Sequence, residues 1–256
     1  MTEFPDFSLA GSTALVTGAA RGLGRAISLS LANAGADVAL GLRDARDGED
    51  LVSAIEGMGR RALRVQMDVL DLAQIGRAVD EVVDTFGRID ILVNNAGLGP
   101  ENPAEDVNEP DYDLTFDTNV KGLFFTSQAV GRVMIRQHGG RIVNLSSQAG
   151  FVALPGEAIY CASKAAVAHL TKCLAVEWGM HGITVNAVAP TFIRTPGTAD
   201  ALSDPEFAAD VTTRIAALHR VGEPVDVAGA VLYLASPAAA LVTGTTLLVD
   251  GGWTAR

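Results

Sequence analysis

The sequence predicts an α/β fold: a doubly wound, mainly seven-stranded parallel sheet with helices on both faces. Three observations carry this prediction. Apolar runs of strand length alternate with helical segments along the whole chain. Most of those runs are continuously apolar, as in strands buried on both faces. No Pro/Gly/Ser-rich linker and no internal repeat divides them, so residues 1–256 read as a single domain.

The elements follow in order. Thr13–Thr17 is a strand, and Leu23–Ala34 a helix with small residues along one side. Asp37–Leu42 is the second strand and Asp47–Met58 a helix. Arg61–Met67 is the third strand, followed by a helix over Leu72–Phe86. Ile89–Val93 is the fourth strand. Two long helical patterns, Tyr112–Gln137 and Ile159–His181, flank the strand Arg141–Leu145. Ile183–Val188 is the sixth strand, Pro205–Leu218 and Val225–Leu234 are helical, and Thr245–Val249 is the last strand. His138-Gly139-Gly140 reads as a helix end.

Composition removes several classes of function. The chain is 48% hydrophobic and 19% charged, too apolar for a disordered segment. Its net charge of −11 repels phosphate backbones, so nucleic acid is not an expected partner. Cys161 and Cys173 are too few for a disulfide framework and too far apart for a metal clip. His138, His169, His181 and His219 show no ligand spacing, so no metal is expected. Met1–Asp6 has neither a basic nor an apolar leader region. Val227–Val249 carries no charge, but Ser236-Pro237 breaks it and threonines dilute it, so it reads as helix, loop and strand rather than a membrane span. The expectation is a cytoplasmic protein with no membrane partner.

The turn Thr17-Gly18-Ala19-Ala20-Arg21-Gly22-Leu23-Gly24 lies where the first strand meets the first helix. Glycines there allow a tight turn and close backbone approach to a pyrophosphate, and the helix N-terminus favours the anion. The spacing is GxxxGxG rather than the general GxGxxG. Gly18, Gly22, Leu23 and Gly24 are therefore candidate dinucleotide-binding residues. Enzymes of this architecture that use NAD usually carry an acid at the end of the second strand. Leu42 stands there, with Arg43 after it and Arg21 inside the turn. Two guanidinium groups suit a ribose 2′-phosphate, which favours NADP(H) over NAD(H). Asp44 competes, either for the ribose or by pairing with Arg43.

Tyr160-Cys161-Ala162-Ser163-Lys164 opens a helical pattern, and residues four apart share a helix face. An ammonium beside a phenol is expected to lower the tyrosine pKa toward working pH, making Tyr160 a general acid/base. Ser146 and Ser147 both lie just after the fifth strand, and either hydroxyl could hold a substrate oxygen beside Tyr160.

These motifs resemble the short-chain dehydrogenase/reductase family over essentially the whole chain. The matching segments are Thr17–Gly24, Asp68-Val69, Asn94–Gly97, Asn119, Ser147, Tyr160 with Lys164, Val185–Pro190 and Val249–Gly252. The resemblance implies a Rossmann fold and an NAD(P)-dependent oxidoreductase. It selects Ser147 over Ser146 and makes Tyr160 the proton donor/acceptor. Lys164 is then expected to hold the nicotinamide ribose, and Asn119 a water behind Lys164. Asp68 and Val69 are expected at the adenine, where the alternative for Asp68 is a helix N-cap. Asn95, Ala96 and Gly97 are expected to close the fourth strand against the cofactor. Pro190, Ile193 and Thr195 are expected at the nicotinamide. Thr191 departs from the family, which usually has Gly after Pro190, and its side chain is expected to project toward substrate.

Substrate recognition is expected from residues after Gly97, the loop Gln148–Glu157 and a lid over about 191–215. Gln148, Glu157, Thr191 and Arg194 are the candidate contacts beside Ser147. This mixture favours a sugar, polyol or sugar acid. A β-ketoacyl-(acyl-carrier-protein) reductase or general carbonyl reductase is the alternative. His138 and Val176 stand where such reductases carry basic docking residues. A non-catalytic cofactor-binding regulator is a third reading. The resemblance also implies a homotetramer, with the C-terminal strand and Trp253 near a second interface.

Overall fold

The computed structural model describes residues 4–255. Residues 1–3 and 256 of the expected domain, and so half of the Met1–Asp6 reading, lie outside the described residues. The elements are β1 (Thr13–Thr17), α1 (Gly22–Asn33), β2 (Asp37–Leu42), α2 (Glu49–Gly57), β3 (Ala62–Gln66), α3 (Leu72–Phe86) and β4 (Ile91–Asn94). Then come α4 (Glu109–Phe116), α5 (Leu123–Gln137), β5 (Gly140–Leu145), α6 (Ala158–Trp178) and β6 (Ile183–Pro190). The chain ends with α7 (Ala199–Ser203), α8 (Pro205–Arg214), α9 (Pro224–Ala235) and β7 (Thr246–Val249).

All strands are parallel, in the order β3-β2-β1-β4-β5-β6-β7. Alternate β1 side chains point to opposite faces. Ala14 and Val16 join Ile27, Leu31 and Val231 on the side of α1 and α9, while Leu15 joins Ile75, Val130 and Leu174 on the side of α3, α5 and α6. That is why β1 is wholly buried and reads as an unbroken apolar run. Strand order reverses between β1 and β4, and the crevice beyond their carboxyl ends is where such sheets bind ligands.

Three of the expected helices end or break differently from the sequence reading. The expected helix Tyr112–Gln137 is interrupted by a π-helical turn, Asp117–Gly122. The apolar period continues through it, but Gly122 backs onto the Val69 carbonyl and Asn119 is tied to Leu98. The helix over Ile159–His181 ends at Trp178 in a short 3₁₀ turn. The helix expected to reach Leu218 ends at Arg214, because the Ala217 and Leu218 amides turn away to the Gly251 carbonyl. α7 had no clear sequence signal. His138 does end α5, in the left-handed conformation with φ 58°. Trp253 is buried against Phe192 within the lid cluster, with 5.7 Å between ring centroids. Among the described residues no helix is long and apolar enough to cross a membrane.

Candidate active site

β1 runs into the glycine turn, and the turn is fastened from two sides. The Gly18 amide donates to the Gly41 carbonyl of β2 at 2.9 Å. The Asn95 side-chain amide donates to the carbonyls of Thr17 (2.9 Å) and Gly18 (3.1 Å). The buried Thr17 hydroxyl accepts from both the Asn95 and Ala96 amides at 3.0 Å. Asn95 and Ala96 thus lie against the turn. Thr17 is a structural partner that the sequence reading did not single out.

The turn fits a dinucleotide. Arg21 occupies the N-cap of α1 without a side-chain cap bond, and no acid lies in the helix's first turn. The first amides and the positive end of the dipole are left for an anion. The space at Gly24 is closed: a Cβ there would run into the Gly18 carbonyl. Thr195 of the lid segment lies over Gly22, 3.5 Å from where a Cβ would be.

Arg21 and Arg43 are exposed, and among the described residues neither forms an ion pair. Asp44 does not pair with Arg43. It pairs with Arg46 at 2.5 Å, and that guanidinium holds its carboxyl down at about 2. Asp68 does not cap the next helix either. Asp71 caps α3, accepting from Ala73 and Gln74. One Asp68 oxygen accepts the Leu70 amide at 3.0 Å, and Val69 beside it is buried against Gly122.

Tyr160 lies near the start of α6, half-buried, with Ser147 within hydrogen-bonding reach. The structure itself separates the two serines. The Ser146 hydroxyl is spent on the Lys164 carbonyl at 2.9 Å. The Ser147 hydroxyl accepts the Ala149 amide at 3.1 Å and donates to Gln148 Oε1 at 2.9 Å. Gln148, itself buried, therefore orients Ser147.

Lys164 is buried one turn below Tyr160. Its ammonium donates to the Leu145 carbonyl at 2.8 Å and lies 5.6 Å from the Tyr160 ring centroid. The expected lowering of the Tyr160 pKa is not found. Burial pushes it up to about 12, only partly offset by the Ser147 hydrogen bond. Burial also pulls Lys164 down to about 8. Desolvation governs both groups, and neither shift carries a contribution from the other.

Asn119 is buried on the π-turn and clamps the site from behind. Its Oδ1 accepts the Leu98 amide at 2.9 Å, and its Nδ2 donates to the Leu98 carbonyl (2.7 Å) and Ser163 Oγ (2.9 Å). Gly97 faces both Asn119 and Lys164, and a Cβ there would lie 3.2 Å from Lys164 Nζ. The following glycine was missed by the sequence reading. A Cβ at Gly99 would lie 2.5 Å from Tyr160 Cδ2, so only glycine lets the ring rest on this loop.

The expected substrate residues divide. Gln148 and Glu157 belong to the Tyr160 neighbourhood. Arg194 does not: it is exposed and pairs with Glu223 at 3.2 Å. Thr191 follows Pro190 at the end of β6, but its hydroxyl is shielded from solvent rather than projecting into the open cleft, and it has no partner among the described residues. Ile193 is buried against Gly222, and the Ile193 carbonyl accepts the Thr198 hydroxyl at 2.6 Å, which fixes the root of the lid.

Comparison with known proteins agrees with this geometry. Residues 18–254 match the family described as Enoyl-(Acyl carrier protein) reductase. A D-threitol dehydrogenase of Mycolicibacterium smegmatis is 41% identical over 98% of this chain and 96% of its own. The 3-oxoacyl-(acyl-carrier-protein) reductase FabG of Staphylococcus aureus is 44% identical over 94% of this chain and 97% of its own. A solved gluconate 5-dehydrogenase from Burkholderia cenocepacia J2315, in complex with NADP and tartrate, superposes with a TM-score of 0.94 at 35% identity, covering 98% of both chains. With its glycine turn at the β1/β4 crevice and its Ser147–Tyr160–Lys164 cluster beside it, the chain belongs to the short-chain dehydrogenase/reductase family and is an oxidoreductase of alcohol and carbonyl groups.

Proposed function

We propose that the protein interconverts a secondary alcohol and a ketone of a polyol, sugar or sugar acid, with NADP(H) preferred over NAD(H). The observation that carries this reading is the convergence of Tyr160, Ser147 and Lys164 at the crevice that the glycine turn opens. A nicotinamide bound there would supply or accept the hydride. Ser147, held by Gln148 and the Ala149 amide, orients the substrate oxygen. Tyr160 moves the proton on that oxygen. Lys164 holds the nicotinamide ribose, with Asn119 and a water behind it. Asp68 and Val69 hold the adenine, Gly18, Arg21, Gly22, Leu23 and Gly24 the pyrophosphate side, and Asn95, Ala96 and Gly97 the edge along β4. Pro190, Ile193 and Thr195 set the nicotinamide face. The D-threitol and gluconate dehydrogenase relatives support the substrate class. The FabG relative keeps a β-ketoacyl thioester in the test panel.

A screen of polyols, sugars, sugar acids and a β-ketoacyl thioester against both cofactors tests the reading. Turnover confined to the thioester would replace it, and no turnover at all would refute it. Cofactor preference has its own test. Arg43 is in no ion pair among the described residues and directly follows Leu42, which stands where an NAD-binding acid is usual. Arg43→Asp should shift the NADP/NAD ratio of kcat/KM toward NAD by about tenfold or more, the size of one charge-assisted contact. An unchanged ratio would remove Arg43 from the 2′-phosphate site.

The assembly proposed is a homotetramer. The π-turn, α5 and α6 flank an open apolar groove of about 480 Å³ lined by Phe116, Val120, Phe124 and Leu170. Strand β7 is a sheet edge with Leu247 and Leu248 exposed, and Leu241 beside it is 99% exposed. Two such surfaces suit two interfaces. Light scattering should give four times the chain mass at micromolar concentration; a monomer there would contradict the proposal. Free Cys161 and Cys173 fit a reducing cytoplasmic setting.

A further inference from the structure

Glu157 is a titratable group that the reaction above leaves unused. It is half-buried at the N-cap of α6, three residues before Tyr160. Its carboxylate does not cap that helix. It has no ion-pair partner among the described residues. Instead it lies within hydrogen-bonding reach of a second carboxyl, Glu101, on the loop after β4. The two loops are joined directly, the Asn102 amide donating to the Gly156 carbonyl at 2.9 Å. A carboxyl pair without a cation is unfavourable for the fold. It is also close enough to Tyr160 to act on its charge. No cation acts on Glu157 among the described residues. Two carboxyls, both hydrogen-bond acceptors when charged, therefore stand together on the loops beside Tyr160.

We propose that Glu157, flanked by Glu101, is a specificity-determining residue that accepts a hydroxyl of a neutral polyol and rejects substrates carrying a carboxylate at that place. This rests on the polyol and sugar reading above and narrows it. A hydroxyl donated to the carboxylate satisfies a group that otherwise has only another acid beside it. A substrate carboxylate there would add a third negative group to an already repulsive pair. The titratable groups facing Glu157 are Glu101, Tyr160 and Cys161. Burial and then Glu101 push Glu157 up to about 7. It is charged above that pH and neutral below it, so rejection of acids should be strong at pH 8 and relax by pH 6.

The test compares kcat/KM for a four-carbon polyol and for a sugar acid in the wild type and in Glu157→Gln. At pH 8 the wild type should favour the polyol by about tenfold or more. Glu157→Gln should reduce that ratio at least about tenfold, mostly through a lower KM for the acid. The ratio should fall between pH 8 and pH 6 in the wild type and stay flat in the variant. Glu101→Gln should give a smaller change in the same direction. An unchanged ratio in an active Glu157→Gln enzyme overturns this inference and leaves the dehydrogenase reading intact. Failure of the wild type to turn over any alcohol or ketone overturns both.

Discussion

Tyr160→Phe should lower kcat by about 10²- to 10⁴-fold, the range for loss of a positioned general acid/base. The substitution removes one oxygen and keeps the ring, which is the part resting on Gly99. Folding and cofactor affinity should stay close to wild type, measured by thermal unfolding and by quenching of protein fluorescence on NADPH binding. That separation matters, because a change in packing would move all three readouts together. A rate within about twofold of wild type would remove Tyr160 from the chemistry.

The same variant reads the electrostatics of the site. Burial holds the Tyr160 hydroxyl up at about 12, so at neutral pH it carries its proton and is ready to donate one to a carbonyl. Alcohol oxidation needs the opposite form, so its rate should climb as pH rises toward about 8, where Lys164 begins to lose its charge. The residual oxidation in Tyr160→Phe should lose that climb. Lys164 limits both directions. With its pKa pulled down to about 8, it is charged below that pH and loses its proton above it. Carbonyl reduction, read as kcat/KM, should therefore weaken as pH rises through about 8.

How much of this could be read beforehand depends on the sequence distance of each contact. The glycine turn, Tyr160 and Lys164 are legible because each relation is local, a strand–turn–helix junction in one case and one helical turn in the other. The seven strands were legible because burial on both faces leaves unbroken apolar runs. The contacts that finish the site cross the chain. Gly99 under the Tyr160 ring, Glu101 beside Glu157, and Arg194 held by Glu223 join segments that no periodicity relates. The π-turn was hidden for a different reason. An extra residue in a helical turn barely disturbs an apolar pattern, while the clamp that stabilises it, Asn119 on Leu98, is a tertiary contact. The pKa of Tyr160 was misjudged on the same ground. Sequence placed the cation beside the phenol but could not show the depth of burial, which opposes it.

The glycine turn should be the most sensitive backbone in the protein. Gly24→Ala should weaken NADPH binding at least about 100-fold, roughly 2.7 kcal/mol, within the range of forced overpacking. Its Cβ would meet the Gly18 carbonyl, lie 2.7 Å from Asn95 Nδ2 and 3.0 Å from Ala19 Cα. Two of those three neighbours are backbone, and the third is a side chain held by its own bonds to Thr17 and Gly18. The Gly18 backbone cannot simply move aside, because its amide is bonded to Gly41 in β2. The strain must then shift the start of α1, and with it the amides proposed to face the pyrophosphate. Gly76→Ala is the control. Gly76 lies within α3 with open space around its Cα, so alanine there should leave NADPH affinity unchanged and add about 1 kcal/mol of stability. Titration of both variants with NADPH, below the unfolding temperature of each, decides the matter. Wild-type affinity in Gly24→Ala would mean that this turn does not approach the pyrophosphate closely. A loss in both would mean that the effect is general destabilisation rather than a closed cradle.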